Sequence, residues 1–285
     1  MSSAKGWRQA LVLLLGGGLL SVVAGALWWV LRPPPPAVLA PLALPSERQR
    51  EIDCAAIGQR KVLVILLLGQ SNAGNHGQTR AEPVADVFSF YDGRCHVAAD
   101  PLPGASGDGG SVWMRLAPRL LRPGQIDAVL LAPLAVNSTS IEQWNRHPLL
   151  LDGLQRLVGQ LRQRGFQVAQ VLWQQGEAES FKGTSADAYR QGFAEMLRRL
   201  RGLGVDAPVW VAQATRCQKR SNAAVHAAQG ELPGLLAGVR AGPDLDRLFD
   251  PVYRHDGCHF SASGLEAAAQ AWATAIAGPA AGATR

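Results

Sequence analysis

A serine and an acid–imidazole pair are the residues of this 285-residue chain best suited to chemistry. Ser71 lies in Lys61–Gly77, reading KVLVILLLGQSNAGNHG, where an apolar run over Val62–Leu68 breaks at Gly69 into small polar residues. The run has the length and composition of a strand buried on both faces. A serine on the turn after such a strand sits at the end where parallel sheets bind ligands. Its N–H can face a developing anion if a helix begins there. Read alone, Ser71 serves equally well as a cap of that helix. Asp256 and His259 stand three apart, just ahead of a helical stretch over Gly264–Ala275. At that spacing in one turn, the carboxylate can hold the proton of one ring nitrogen and leave the other facing a serine. A histidine beside a cysteine is more often structural, but a strand-end serine in the same chain favours the catalytic reading.

Such residues need strands that end in polar loops, and the chain repeats that pattern. Asp100–Gly110 (DPLPGASGDGG) is a Gly/Pro-rich loop before a helix that starts at Val112 and stops at Pro123-Gly124. Gly109 or Gly110 can present an N–H to an oxyanion, although a plain surface loop is the simpler local reading. Ala128–Val136 is a second buried strand, followed by Asn137-Ser138-Thr139-Ser140-Ile141-Glu142-Gln143-Trp144. There Trp144 and the hydroxyls can contact a sugar ring, or Ser138 or Ser140 can cap a helix. Helical spacing follows over Leu149–Leu161. Val168–Trp173 is a third strand, ending in Gln174-Gln175-Gly176-Glu177-Ala178-Glu179. Gln175 can offer a side-chain N–H to an oxyanion, and Glu177 can hold neighbouring loops. A helix over Ser185–Leu200 and a strand over Pro208–Gln213 come next. This alternation predicts an α/β, doubly wound three-layer sandwich with a mainly parallel sheet. There is no internal repeat, P-loop or dinucleotide glycine fingerprint.

Composition narrows the partners. The chain carries a formal net charge of +6, with no basic tract interleaved with aromatics, so nucleic-acid binding has little support. Leu11–Leu31 holds 21 residues without a charge, preceded by Lys5 and Arg8 and closed by Trp28, Trp29 and Arg32. That length suits one transmembrane helix with a cytoplasmic N-terminus. A cleaved signal peptide competes, because Ala24-Gly25-Ala26 has the look of a cleavage site. The expected organisation is therefore residues 1–10 cytoplasmic, 11–31 a signal anchor, 32–46 a stiff Pro-rich linker, 47–278 the folded domain and 279–285 a frayed tail. The expected location is the inner membrane with the domain facing the periplasm or exterior, or secretion if the anchor is cleaved. Four cysteines, Cys54, Cys95, Cys217 and Cys258, all follow the anchor, and an oxidising compartment favours two disulfides. Joining sequence neighbours gives Cys54–Cys95 and Cys217–Cys258. Zinc held by cysteines is a poor alternative without a C-x-x-C pair.

Taken together, Gly69-Gln70-Ser71-Asn72, the loop at Gly110, Gln175-Gly176-Glu177 and Asp256-x-x-His259 resemble the SGNH/GDSL-type hydrolases. The likeness is to the sialate O-acetylesterase-like and acetylxylan-esterase-like branch, whose Gly-Thr-Ser-Ile-x-x-Trp segment Ser138–Trp144 also resembles. The motifs fall in the family's order over about residues 62–275. The resemblance implies a flavodoxin-like fold, Ser71 as nucleophile, His259 as general base and Asp256 as the residue orienting it. It also implies an oxyanion hole made by the Ser71 N–H, a backbone N–H at Gly110 and the Gln175 amide. Gln70, Asn72, Ser140, Trp144 and Glu177 are implied as substrate-binding or supporting residues, with Glu177 a minor competitor to Asp256. No metal and no organic cofactor is implied. Gln174, Ala178, Glu179 and Asn137-Ser138 depart from the branch's pattern on the substrate side.

The function expected is removal of O-acetyl groups from carbohydrate. Two alternatives are acetyl transfer to an envelope glycan through the same acyl-enzyme, and a glycan-binding protein without activity.

Overall fold

The uncharged runs form the middle of one sheet, in a computed structural model that describes residues 38–278. The expected anchor 11–31 and tail 279–285 lie outside the described residues. Among the described residues no helix is long and apolar enough to cross a membrane. The described residues form eight strands: β1 Glu51–Ile52, β2 Val62–Gly69, β3 Val87–Tyr91, β4 Arg94–Val97, β5 Ala128–Ala135, β6 Gln170–Gln174, β7 Val209–Gln213 and β8 Val239–Asp244. Their order across the sheet is β1-β4-β3-β5-β2-β6-β7-β8. All neighbours from β3 to β8 are parallel, and β4 and β1 extend one edge antiparallel. Strands β5-β2-β6-β7-β8 keep the flavodoxin-like order, and the β3–β4 hairpin is added beyond β5.

Side chains alternate across β2, so each face needs its own cover. Leu66 and Leu68, with Val171 and Trp173 of β6, pack under Leu150 and Leu154, Phe193 and Leu200, and Val225 and Leu232. Those residues lie on helices Pro148–Gln163, Ala186–Gly202 and Ala223–Leu235. Ile65, Leu67 and Leu172 meet Trp113, Leu116 and Trp272 on the other face, from helices Trp113–Leu120 and Ala262–Ala277. Burial of each such side chain contributes about 1.5–3 kcal/mol, which makes these two layers the main source of stability. Three layers result.

Two local features fix where the chemistry can lie. From β2 the chain leaves toward β3 and β5 on one side, and β6 lies on the other, so the loops after β2 and β6 part at a topological switch point. Gly69, the last residue of β2, is opposite Gln174 in the register and has φ +146°. A Cβ there would lie 1.9 Å from the Gln174 carbonyl oxygen, so only glycine lets the two strand ends approach this closely.

The cysteines pair as Cys54–Cys95 and Cys217–Cys258. The linker reading needs correction at its end. Leu39, Ala40 and Leu42 pack on the core, and the Ala43 N–H donates to the Ala105 carbonyl. Their apolar side chains gain more from the domain than from solvent, so these residues belong to the compact unit that begins at Leu39.

Candidate active site

Ser71 opens a single 3-10 turn, Ser71–Ala73, directly after β2. Its side chain is almost fully buried, and its Oγ makes no hydrogen bond among the described residues. The Ser71 N–H likewise meets no acceptor among them. Gln70 and Asn72 on either side are committed to structure. Gln70 Oε1 accepts from the N–H groups of Gly176 and Ala178, tying the β2 loop to the β6 loop. Asn72 Nδ2 donates to Glu177 Oε1 at 2.7 Å and to the Cys258 carbonyl at 3.2 Å.

That carbonyl belongs to the residue before His259. It also accepts from Arg254 Nη1 at 2.7 Å, and the Cys217–Cys258 disulfide holds the same point from the β7 side. Burial lowers Arg254 to about 10, still charged at neutral pH, while Glu177 and Asp246 pull the other way. Within the loop, Asp256 Oδ2 lies 2.6 Å from His259 Nδ1, and Asp256 Oδ1 accepts the N–H groups of Cys258 and His259. Partial burial opposes ionisation of Asp256, but these His259 and Cys258 bonds prevail and hold it at about 2. The pair fixes the ring so that Nε2 is the nitrogen left for a proton acceptor's role.

Ser71 and His259 line one cavity of about 390 Å³, whose walls also include Asn137, Glu177, Phe181 and Gln218. There is no hydrogen bond between Ser71 and His259; such contacts commonly tighten only around substrate. A larger hollow of about 900 Å³ lies beyond Lys182, between Ile141–Arg146 and the long helix Ala186–Gly202. It touches neither Ser71 nor His259, so size does not locate the chemistry here.

Three sequence expectations change. The Gly110 N–H donates to the Gly77 carbonyl at 2.9 Å, Gly77 returns the bond, and Gly109 donates to Asn75. Neither glycine has an N–H to offer an oxyanion. Gln175 Nε2 donates to Glu179 Oε1 at 2.7 Å and to the Thr139 carbonyl at 3.1 Å, and Gln175 is absent from the cavity wall. Trp144 is 1% exposed, packs edge-on against Trp173 and donates to Thr139 Oγ1, so it belongs to the core rather than to a sugar platform. Of the two readings open for Ser140 the structure takes the cap: it starts the helix Ile141–Arg146 in a reciprocal capping box with Gln143. Buried apolar area and paired backbone outweigh the exposed roles these residues were given.

Other residues were not foreseen. His76 stacks on His259 with centroids 5.1 Å apart and joins Ser106 Oγ at 3.1 Å. Burial and then the charge of His259 lower it to about 4, so it is neutral at pH 7. Asn137, already placed on the substrate side by the sequence, lines the cavity, and Phe181, which was not foreseen, reaches it from the helix Glu177–Lys182.

Glu177 is the buried acid of the site. Burial dominates and raises it to about 7, against the Asn72 bond, its own backbone N–H and Arg254. Its Oε2 has no hydrogen-bond partner among the described residues. A folded-state value above the unfolded one means stability fully present below about 4.5 and lost as pH rises through about 7. Glu177→Gln is expected to remove that slope. Denaturant midpoints at pH 5 and 8 should then differ less in the variant than in the parent chain; an unchanged difference would contradict the assignment.

Solved structures share this architecture. A protein from Arabidopsis thaliana is 18% identical, with a TM-score of 0.58 and a match covering 76% of this chain and 97% of that one. NanS is 17% identical, with a TM-score of 0.53 and coverage of 76% and 96%. At these identities the likeness is one of fold. No curated protein is similar at a significant level. A family model described as "Carbohydrate esterase, sialic acid-specific acetylesterase" matches residues 61–277, and the chain belongs to that family. It is accordingly a hydrolase of carboxylic esters.

Proposed function

We propose that this esterase removes O-acetyl groups from carbohydrate hydroxyls through Ser71, His259 and Asp256. The observation that carries the reading is the 2.6 Å Asp256–His259 pair opening on the same cavity as Ser71. Ser71 Oγ attacks the acetyl carbonyl carbon as His259 Nε2 takes the hydroxyl proton, and the carbonyl electron pair moves onto oxygen. The intermediate collapses, the sugar oxygen leaves with the proton from His259, and Ser71 stays acetylated. Water repeats the sequence, releasing acetate and restoring Ser71.

The Ser71 N–H is one donor for the oxyanion. The second is assigned to Asn137, which lines the cavity and whose Nδ2 meets no acceptor among the described residues; its Oδ1 accepts from Ser138. Asn137→Ala is expected to lower kcat by about 10²–10³ with a smaller change in KM. A rise in KM with kcat unchanged would make it a substrate contact instead.

Two disulfides support an oxidising compartment, and the uncharged run 11–31 supports a tether to the inner membrane with the domain outside. Acetate release by the full chain from O-acetylated sialic acid and from acetylated xylan tests the function. Release from either supports it; no release from these or from p-nitrophenyl acetate contradicts it.

A further inference from the structure

We propose that His255, Asp256 and His259 form a binding site for a zinc ion at the mouth of the cavity, and that the bound ion switches the esterase off. One ligand atom from each of the three residues lies within 4.8 Å of the others. Two imidazoles and a carboxylate, with water in the fourth position, are a donor set suited to zinc, whose bonds to nitrogen and oxygen are about 2.0–2.2 Å. To meet one ion the three side chains must draw together by rotation, and His255 Nε2, now 3.3 Å from the His76 carbonyl, either leaves that contact or leaves Nδ1 to bind. Asp256 and His259 are exposed enough to be reached, and His255 lies on the surface beside them, its ring 6.2 Å from that of His259.

The backbone holds these donors in place. The His255 N–H donates to the His259 carbonyl at 3.0 Å, and Arg254 and Phe260 pair as an antiparallel bridge just outside them. The chain between turns at Gly257, at φ +79°, and is fastened by the Cys217–Cys258 disulfide. Two histidines four apart are thus set opposite one another across a tied turn. The conformational freedom lost on binding is correspondingly small, which favours affinity.

Inhibition follows from the proton accounting at His259. Coordination through Nε2 occupies the lone pair that takes the Ser71 proton. Coordination through Nδ1 displaces Asp256 from that nitrogen and moves the ring proton to Nε2, where it blocks the same lone pair. Either way the zinc-bound ring accepts no proton from serine. The role of His259 as base rests on the function proposed above; the site itself does not.

The experiment uses the full chain without an affinity tag, zinc chloride as the probe, and the variants His255→Ala and Ser71→Ala. Calorimetry should show the parent chain and Ser71→Ala binding zinc equally, and His255→Ala binding at least about tenfold more weakly. In p-nitrophenyl acetate hydrolysis, His255→Ala should keep the parent rate without zinc and need a correspondingly higher zinc concentration for half inhibition, with EDTA restoring both. Equal zinc affinity in the parent chain and His255→Ala would overturn the proposal. So would full activity of the parent chain with its zinc site saturated. Calorimetry on Ser71→Ala reads the site even if the esterase reading fails.

Discussion

Ser71→Ala is expected to lower kcat for p-nitrophenyl acetate by about 10⁶-fold, the scale on which serine hydrolases depend on their nucleophile. The rate should fall to what the oxyanion donors and binding alone provide. The fold should not change, because Ser71 Oγ has no hydrogen-bond partner among the described residues and its removal orphans none. A stability change within about 0.5 kcal/mol, read by denaturant unfolding, separates lost chemistry from lost structure. Hydrolysis within tenfold of the parent chain would remove Ser71 from the mechanism.

Asp256→Asn is expected to cost about 10⁴ in kcat. The carboxylate has two duties: Oδ2 sets the ring proton on Nδ1 of His259, and Oδ1 accepts two backbone N–H groups that shape the loop. An amide can keep one such acceptor while losing the charge that favours the imidazolium. The pH dependence has a definite sign. A folded value of about 2, below the ordinary 3.8, gives stability present above 3.8 and lost as pH falls through about 2. Loss of activity on the acid side between pH 5 and 7 must therefore come from groups other than the Asp256 carboxyl. A loss of less than tenfold in kcat would remove Asp256 from the mechanism.

Much of the architecture was legible where burial leaves a plain signal. β2, β5 and β6 are covered on both faces, so each reads as an apolar run, and Ser71 is found by where one of those runs breaks. Asp256 and His259 are equally local, being three residues apart in one turn. β8, reading VRAGPD, carries Arg, Gly and Pro because it lies at the sheet edge, and periodicity does not reveal it. The helix Ala223–Leu235 is masked in the same way by Gly230 and Pro233.

Two of the three expected oxyanion donors, Gly110 and Gln175, are engaged elsewhere for a different reason. Whether the Gly110 N–H is free depends on Gly77, whose approach is set by tertiary packing and not by neighbouring residues. Gln175 likewise looks available until Glu179, one helical turn onward, and Thr139, from another loop, take up its amide. A residue type announces what it can donate; only the fold decides to whom.

The most direct test of the account is the site of covalent modification. The full chain is treated with a fluorophosphonate, its intact mass is recorded and the labelled peptide is sequenced by mass spectrometry. One adduct per chain on Ser71, slowed strongly by His259→Ala and absent in Ser71→Ala, is the result expected. An adduct on another serine, or none in a chain that hydrolyses p-nitrophenyl acetate, would contradict the assignment of the nucleophile.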